Sequence, residues 1–282
     1  MSKYMILVSI LILVLGCTTV EETPKTWQYT QTIPIKGINA IGMQLDTTTG
    51  NIWLSDGDHN RLVAINKEGH IIKTIPGFER PMHIAIQDSQ LYVPEYGNDG
   101  ISLIKGETRS QLPLKDSLDA PAGIAVYGQE IAIADFYNHS ILYTADGENY
   151  ERIGSQGHND GQFYYPTDVQ ITPNHIWVAD AYNHRVQQLN KQGEVTRVIG
   201  WDQGMNAATG ILVHEETLFV TDFENSRVLV FDLEGNLKQE LTTAIDKPTE
   251  MLVIKDTLYI TNYRKAELVQ YQLKPEPKPT SG

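Results

Sequence analysis

The chain has 282 residues, 41% of them hydrophobic, a formal net charge of −13 and a pI of about 5.0. That length and apolar content support a buried core of domain size, while the acidic balance repels phosphate backbones and argues against a nucleic-acid partner. A single cysteine, Cys17, excludes an intramolecular disulfide framework.

The first element is an apolar run, Met5–Leu15, broken only by Ser9 and preceded by Lys3. A basic start, a short apolar core and a small residue before a cut describe a secretory signal peptide over residues 1–16, too short for a comfortable membrane span. Gly16-Cys17 resembles the bacterial lipobox. The resemblance implies cleavage before Cys17, lipid on its thiol and a membrane-anchored place in the cell envelope. Because Thr18 and not Asp follows, the expected destination in a diderm is the outer membrane, on its periplasmic side. Otherwise it is the outer face of the cytoplasmic membrane. Residues 17–26 are polar and read as a tether.

Trp27–Ile35 has strand character but precedes the first complete repeat. An acid then recurs just after a short apolar strand, at Asp56, Glu95, Asp135, Asp180 and Asp222, with Asn262 in the sixth place. A period near forty residues, with several short strands per unit, predicts an all-β, six-bladed β-propeller over residues 27–273. The fourth repeat is the clearest: Pro166–Ile171, His175–Asp180, Arg185–Leu189 and Val195–Ile199, bounded by turn residues. These are four antiparallel strands, a to d from the channel outward, with Gly69, Gly147, Gly193 and Gly235 in c–d hairpins that call for positive φ. The sixth repeat lacks its outer strand. Trp27–Ile35 is expected to supply it and close the ring, removing two sheet edges. Residues 274–282 read as a proline-rich tail.

Asp180…Asn183-His184-Arg185-Val186 resembles the NHL repeat, as do Asp135…Asn138-His139-Ser140-Ile141 and Asp222…Asn225-Ser226-Arg227-Val228. Gly154-Ser155-Gln156-Gly157…Gly161-Gln162-Phe163…Pro166 resembles that family's linker between blades. Copies two and six depart from it: Glu95–Gly100 lacks the arginine and Asn262 replaces the acid. Because they recur in nearly every blade, Asp56, Asp135, Asp180 and Asp222 read as structural, accepting N–H bonds within the b–c turn, with Asn in the left-handed conformation there and an Arg answering the charge.

Function should show where the repeats differ. At the start of strand a the six units carry Gly42, His83, Gly123, Asp168, Gly210 and Glu250, glycine alternating with a metal-capable side chain. His83, Asp168 and Glu250 are therefore expected to converge on the axis at the channel mouth. One imidazole and two carboxylates suit Zn²⁺, Mn²⁺ or Fe²⁺, and the carboxylates alone suit Ca²⁺ with waters. Around them the b–c loops carry Tyr96, Phe136, Tyr137, Tyr182, Phe223, Tyr263 and Arg264, surfaces for a protein, peptide or glycan. The other histidines receive no chemical role.

Many NHL propellers are interaction modules, so the resemblance implies a lipid-anchored binding platform. Similar propellers include a zinc-dependent peptidyl-hydroxyglycine lyase, calcium-dependent lactonases and streptogramin lyases, which makes a metal-dependent lyase or hydrolase the alternative. The chain departs from those enzymes in having one axial histidine and Gly42 in place of a first-blade acid. It shows no Ser-His-Asp or Cys-His arrangement.

Overall fold

The computed structural model describes residues 24–276, so the segment expected to be a signal peptide, the expected lipid attachment at Cys17 and the end of the tail lie outside the described residues. Within them the strands form six four-stranded antiparallel sheets, and the molecule is an all-β, six-bladed propeller. Five blades are meanders in sequence order. The fourth runs Pro166–Ile171, His175–Asp180, Arg185–Asn190 and Val195–Ile199, close to the strands expected from turn residues and β-branched runs. The a strands of neighbouring blades touch one another around the axis.

Lys25–Pro34 pairs antiparallel with Glu267–Pro275 and forms the outer strand of the sixth blade, as the missing fourth strand required. The pairing is longer than expected. Thr26 and Lys25 oppose Lys274 and Pro275, the first two residues assigned above to the tail. The Trp27 ring packs edge-on against Phe219 at 5.6 Å. The backbone N–H of Trp27 donates to Gln239 Oε1 at 2.9 Å, and Gln239 Nε2 donates to the Trp27 carbonyl at 2.7 Å. The closing strand is thereby fastened to blade five as well as to blade six.

Apolar packing follows the same logic. Six buried clusters each span two adjacent blades: Met43, Leu54 and Val63 of blade one meet Leu252, Tyr259 and Leu268 of blade six, and so on round the ring. A blade alone would expose both faces, so stability comes from its neighbours.

The recurring acids are structural, but they bond elsewhere than expected. Each accepts a backbone N–H from the loop leading into its own blade, about sixteen residues earlier, and not from the b–c turn. Asn39 donates to Asp56, Glu79 to Glu95, Asp119 to Asp135, Tyr164 to Asp180, Asn206 to Asp222 and Asp246 to Asn262, all at 2.7–3.0 Å. Arg61, Arg185 and Arg227, five residues on, answer the charge in blades one, four and five. Blades two and three take the arginine from strand d instead, Arg109 on Glu95 and Arg152 on Asp135. Blade six has neither charge, and Asn262 faces Glu267.

The motif asparagines are not the left-handed residues. Asn138, Asn183 and Asn225 donate their amides to the acid, while positive φ falls on the residue after, His139, His184 and Ser226. That residue reaches the next blade. Asn60 Oδ1, Asp99 Oδ1, His139 Nδ1, His184 Nδ1 and Ser226 Oγ accept the N–H of Arg80, Ala120, Tyr165, Ala207 and Lys247 respectively. Five blade junctions are latched this way, and two histidines left without a role above are part of the device.

Candidate functional site

The alternation at the start of strand a has a steric cause on one side. A Cβ on Gly42 would sit 2.8 Å from His83 Cα, one on Gly123 2.8 Å from Thr167 O, and one on Gly210 2.2 Å from Thr249 O. Glycine in blades one, three and five lets those a strands press against the backbone of the next blade. The side chains of blades two, four and six fill the axis that remains.

His83, Asp168 and Glu250 do converge. Each offers a ligand atom, and no two of these atoms are more than 4.8 Å apart. His83 Nδ1 lies 2.9 Å from Glu250 Oε2. Backbone N–H groups orient the carboxylates: Val169 and Ile211 donate to the two oxygens of Asp168 at 2.8 and 2.9 Å, and Met251 donates to Glu250 Oε1 at 2.9 Å. All three residues are at most 5% exposed, so they form a cluster buried on the axis and not at an open channel mouth.

Burial governs their protonation. It pushes the Asp168 carboxyl up to about 7, with the His83 ring opposing and the Glu250 charge reinforcing the rise. Burial likewise lifts Glu250 to about 8 against the Met251 N–H, and lowers His83 against the attraction of Asp168. A buried neutral imidazole beside two carboxyls that readily keep their protons can exchange those protons for a cation.

Access is from the side opposite to expectation. A cavity of about 290 Å³ reaches Asp168 and Glu250, and its other walls, including Gln44, Tyr127 and Gln170, lie further along the a strands. It therefore opens toward the a–b hairpins. The b–c loops stand on the other face.

On that other face the aromatic residues form a continuous cluster. Tyr96, Phe136, Tyr137 and Tyr182 are joined by Tyr164 and Tyr165, which the sequence reading missed, with ring centroids 4.6–6.4 Å apart. The Tyr96 hydroxyl donates to that of Tyr137 at 2.8 Å, while Tyr137 and Tyr182 remain about half exposed. Phe136, Tyr182 and Phe223 also line a hollow of about 280 Å³ with Thr167, Thr209 and Glu224. The Tyr263 ring lies 6.4 Å from that of Phe223, and Tyr263 and Arg264 are both held by Asp58 of blade one, at 2.9 and 3.2 Å. The tandem tyrosines ahead of Pro166 were visible in the sequence. Only the loop into blade four, hung on Asp180 by the Tyr164 N–H, carries them into the cluster.

Residues 163–189 match the NHL repeat model. That stretch is the fourth blade from its entry loop to the end of strand c, the copy with the fullest motif. The chain is also 28% identical over 122 residues, 42% of its length, to Protein brain tumor of Drosophila melanogaster, and spans 12% of that protein. Among solved structures, a virginiamycin B lyase from Staphylococcus aureus superposes with a TM-score of 0.66 at 15% identity, covering 87% of each chain. A gluconolactonase from Xanthomonas campestris superposes with a TM-score of 0.72 at 13% identity, covering 90% of this chain and 99% of the other. At such identity these likenesses speak for the propeller fold alone.

Proposed function

We propose that the protein is a recognition module of the cell envelope that binds a protein or peptide segment through its b–c loop face. The observation that carries this reading is the contiguous aromatic cluster of blades two to four, half-open at Tyr137 and Tyr182 and flanked by a hollow. Large rigid rings with polar tips supply contact area at little entropic cost, which is why tyrosine is favoured at binding surfaces. The NHL repeat match in the fourth blade is in keeping with the interaction role that the family resemblance implies.

Lipid on Cys17 belongs to the same reading. Its support is the basic start, the apolar run and Gly16-Cys17. Lys25 and Pro275 pair at the hairpin end of the sixth blade, so a tether from Cys17 would draw the hairpin face to the membrane and turn the aromatic face outward. Among the described residues no helix is long and apolar enough to cross a membrane.

A photo-crosslinking residue at position 182, compared with one at position 128 on the hairpin face, tests the platform in native envelopes. A discrete adduct from position 182, lost when Tyr137→Ala is added, is expected. Equal labelling from both positions would overturn the reading.

A second reading, a metal-dependent lyase or hydrolase, is favoured by one observation, the convergence of His83, Asp168 and Glu250 at the end of a cavity. Turnover of a lactone or phosphoester with added divalent ions, lost in His83→Ala and in Asp168→Ala, would move it to first place.

A further inference from the structure

We propose that His83, Asp168 and Glu250 hold one first-row divalent transition ion whose remaining coordination positions face the hairpin-side cavity and carry exchangeable water. This gives the propeller a second binding site, back to back with the aromatic face and independent of it.

The donor set distinguishes the ion. His83 Nδ1 and Glu250 Oε2 are 2.9 Å apart, close enough for one ion to take the place of the proton between them. A nitrogen donor in a set of three favours the transition metals over calcium. The carboxylates are already aimed: each accepts backbone N–H bonds, yet a carboxylate oxygen keeps a lone pair for a metal while accepting one such bond. Fixed, hydrogen-bonded ligands of this kind are how metal sites hold their geometry.

Three protein ligands do not saturate such an ion. The cavity of about 290 Å³ touches Asp168 and Glu250 directly. It is otherwise walled by apolar side chains such as Ile86, Ile124 and Leu212, with Gln44, Gln170 and Tyr127 as the polar groups. The volume sits at the small end of ligand clefts, which begin at about 300 Å³. Asp168 and Glu250 already balance the charge of a divalent ion, so its remaining positions call for a neutral oxygen donor, and water meets that condition.

The test uses the full chain in mild detergent, stripped with chelator and titrated with Mn²⁺. Free Mn²⁺ is followed by its paramagnetic resonance signal and bound Mn²⁺ by enhanced water-proton relaxation. One saturable Mn²⁺ per chain is expected, displaced by equimolar Zn²⁺ but not by a hundredfold excess of Ca²⁺. Asp168→Asn and His83→Gln should each weaken binding at least tenfold. Should either variant fail to fold by circular dichroism, the other and the wild-type stoichiometry carry the result. Gln44→Trp, which narrows the cavity, should lower the relaxation enhancement of bound Mn²⁺ while leaving its affinity unchanged. No saturable site, or unchanged affinity in folded Asp168→Asn and His83→Gln, would overturn the metal site. Displacement by Ca²⁺ as readily as by Zn²⁺ would overturn the choice of ion. An enhancement unchanged in Gln44→Trp would overturn the water-carrying positions on the cavity side. Position-182 crosslinking is read separately, so failure of the docking face and failure of the metal site are distinguishable.

Discussion

At the scale of single residues, two positions show how much the ring depends on close backbone approach and on neutral side chains. Gly210 has no room for a Cβ, which would meet the Thr249 carbonyl at 2.2 Å. Gly210→Ala should lower stability by about 2–3 kcal/mol, because backbone and not a flexible side chain must move. Denaturant unfolding of the variant against the wild type measures it, and a loss under 0.5 kcal/mol would show that the strands yield. His139 accepts the Tyr165 N–H through Nδ1 at 3.1 Å and stacks on Tyr164. Protonation would end that bond. Burial holds the His139 pKa below 6.5, with the Asp180 charge opposing, and the groups facing it are Tyr164, Tyr165 and Asp180. A histidine with a depressed folded pKa contributes stability above the unfolded value of about 6.5 and loses it as pH falls through the folded one. His139→Asn installs the residue that blade one uses at Asn60, with its similar φ of 56°. Between pH 7 and pH 5 the wild type should lose more melting temperature than this variant. The acids of the axis contribute equally to both proteins and cancel in the comparison.

Among the elements, the closing strand matters most. Lys25–Pro34 pairs along nearly its whole length with Glu267–Pro275, and Trp27 adds a buried ring and two bonds to Gln239. Removing everything before Ile35 would expose an edge of the sixth blade and open its packing against the fifth. Such a truncation should aggregate or melt several degrees lower, whereas ending the chain at residue 276 should leave the melting temperature unchanged. Equal melting of the two truncations would mean that the ring holds without its closing strand. The arginines teach a related lesson. Each recurring acid at the end of strand b in the first five blades has one, but Arg109 and Arg152 arrive from strand d, so the element supplying the charge varies while the pair persists. The requirement is physical: a fully buried carboxylate without a partner is far more costly than either strand's choice of residue.

For the whole molecule, every apolar cluster is shared by two blades, and the ring has no terminal unit from which to fray. Open repeat arrays unfold piecewise from their ends, while a closed ring must lose two interfaces before any blade is free. The wild type and Gly210→Ala, altered only in blade five, should each unfold in one transition. Far- and near-ultraviolet circular dichroism should coincide throughout. Separate midpoints would show that blade five can open alone. The same closure keeps the two faces distinct. The a strands pack around His83, Asp168 and Glu250, so the hairpin-side cavity and the aromatic face are divided by buried side chains.

The sequence by itself determined the blade count, the meander of each blade, the need for a closing strand and the alternation of glycine with His83, Asp168 and Glu250. These are periodic or local features, set by strand length, turn residues and the burial of alternate side chains, and they need no knowledge of what lies across the ring. Tertiary structure decided the rest. The acids hold the loop into their own blade because that loop, distant in sequence, folds back over the end of strand b. His139 and His184 became latches because the next blade presents an N–H to each. Tyr164 and Tyr165 joined the aromatic cluster because Asp180 hangs their loop beside the b–c turns. The axial three are buried and reached from the hairpin side because the cavity beside Asp168 and Glu250 runs along the a strands. How tightly six strands pack about an axis depends on the side chains of all six at once, and no single repeat carries that information.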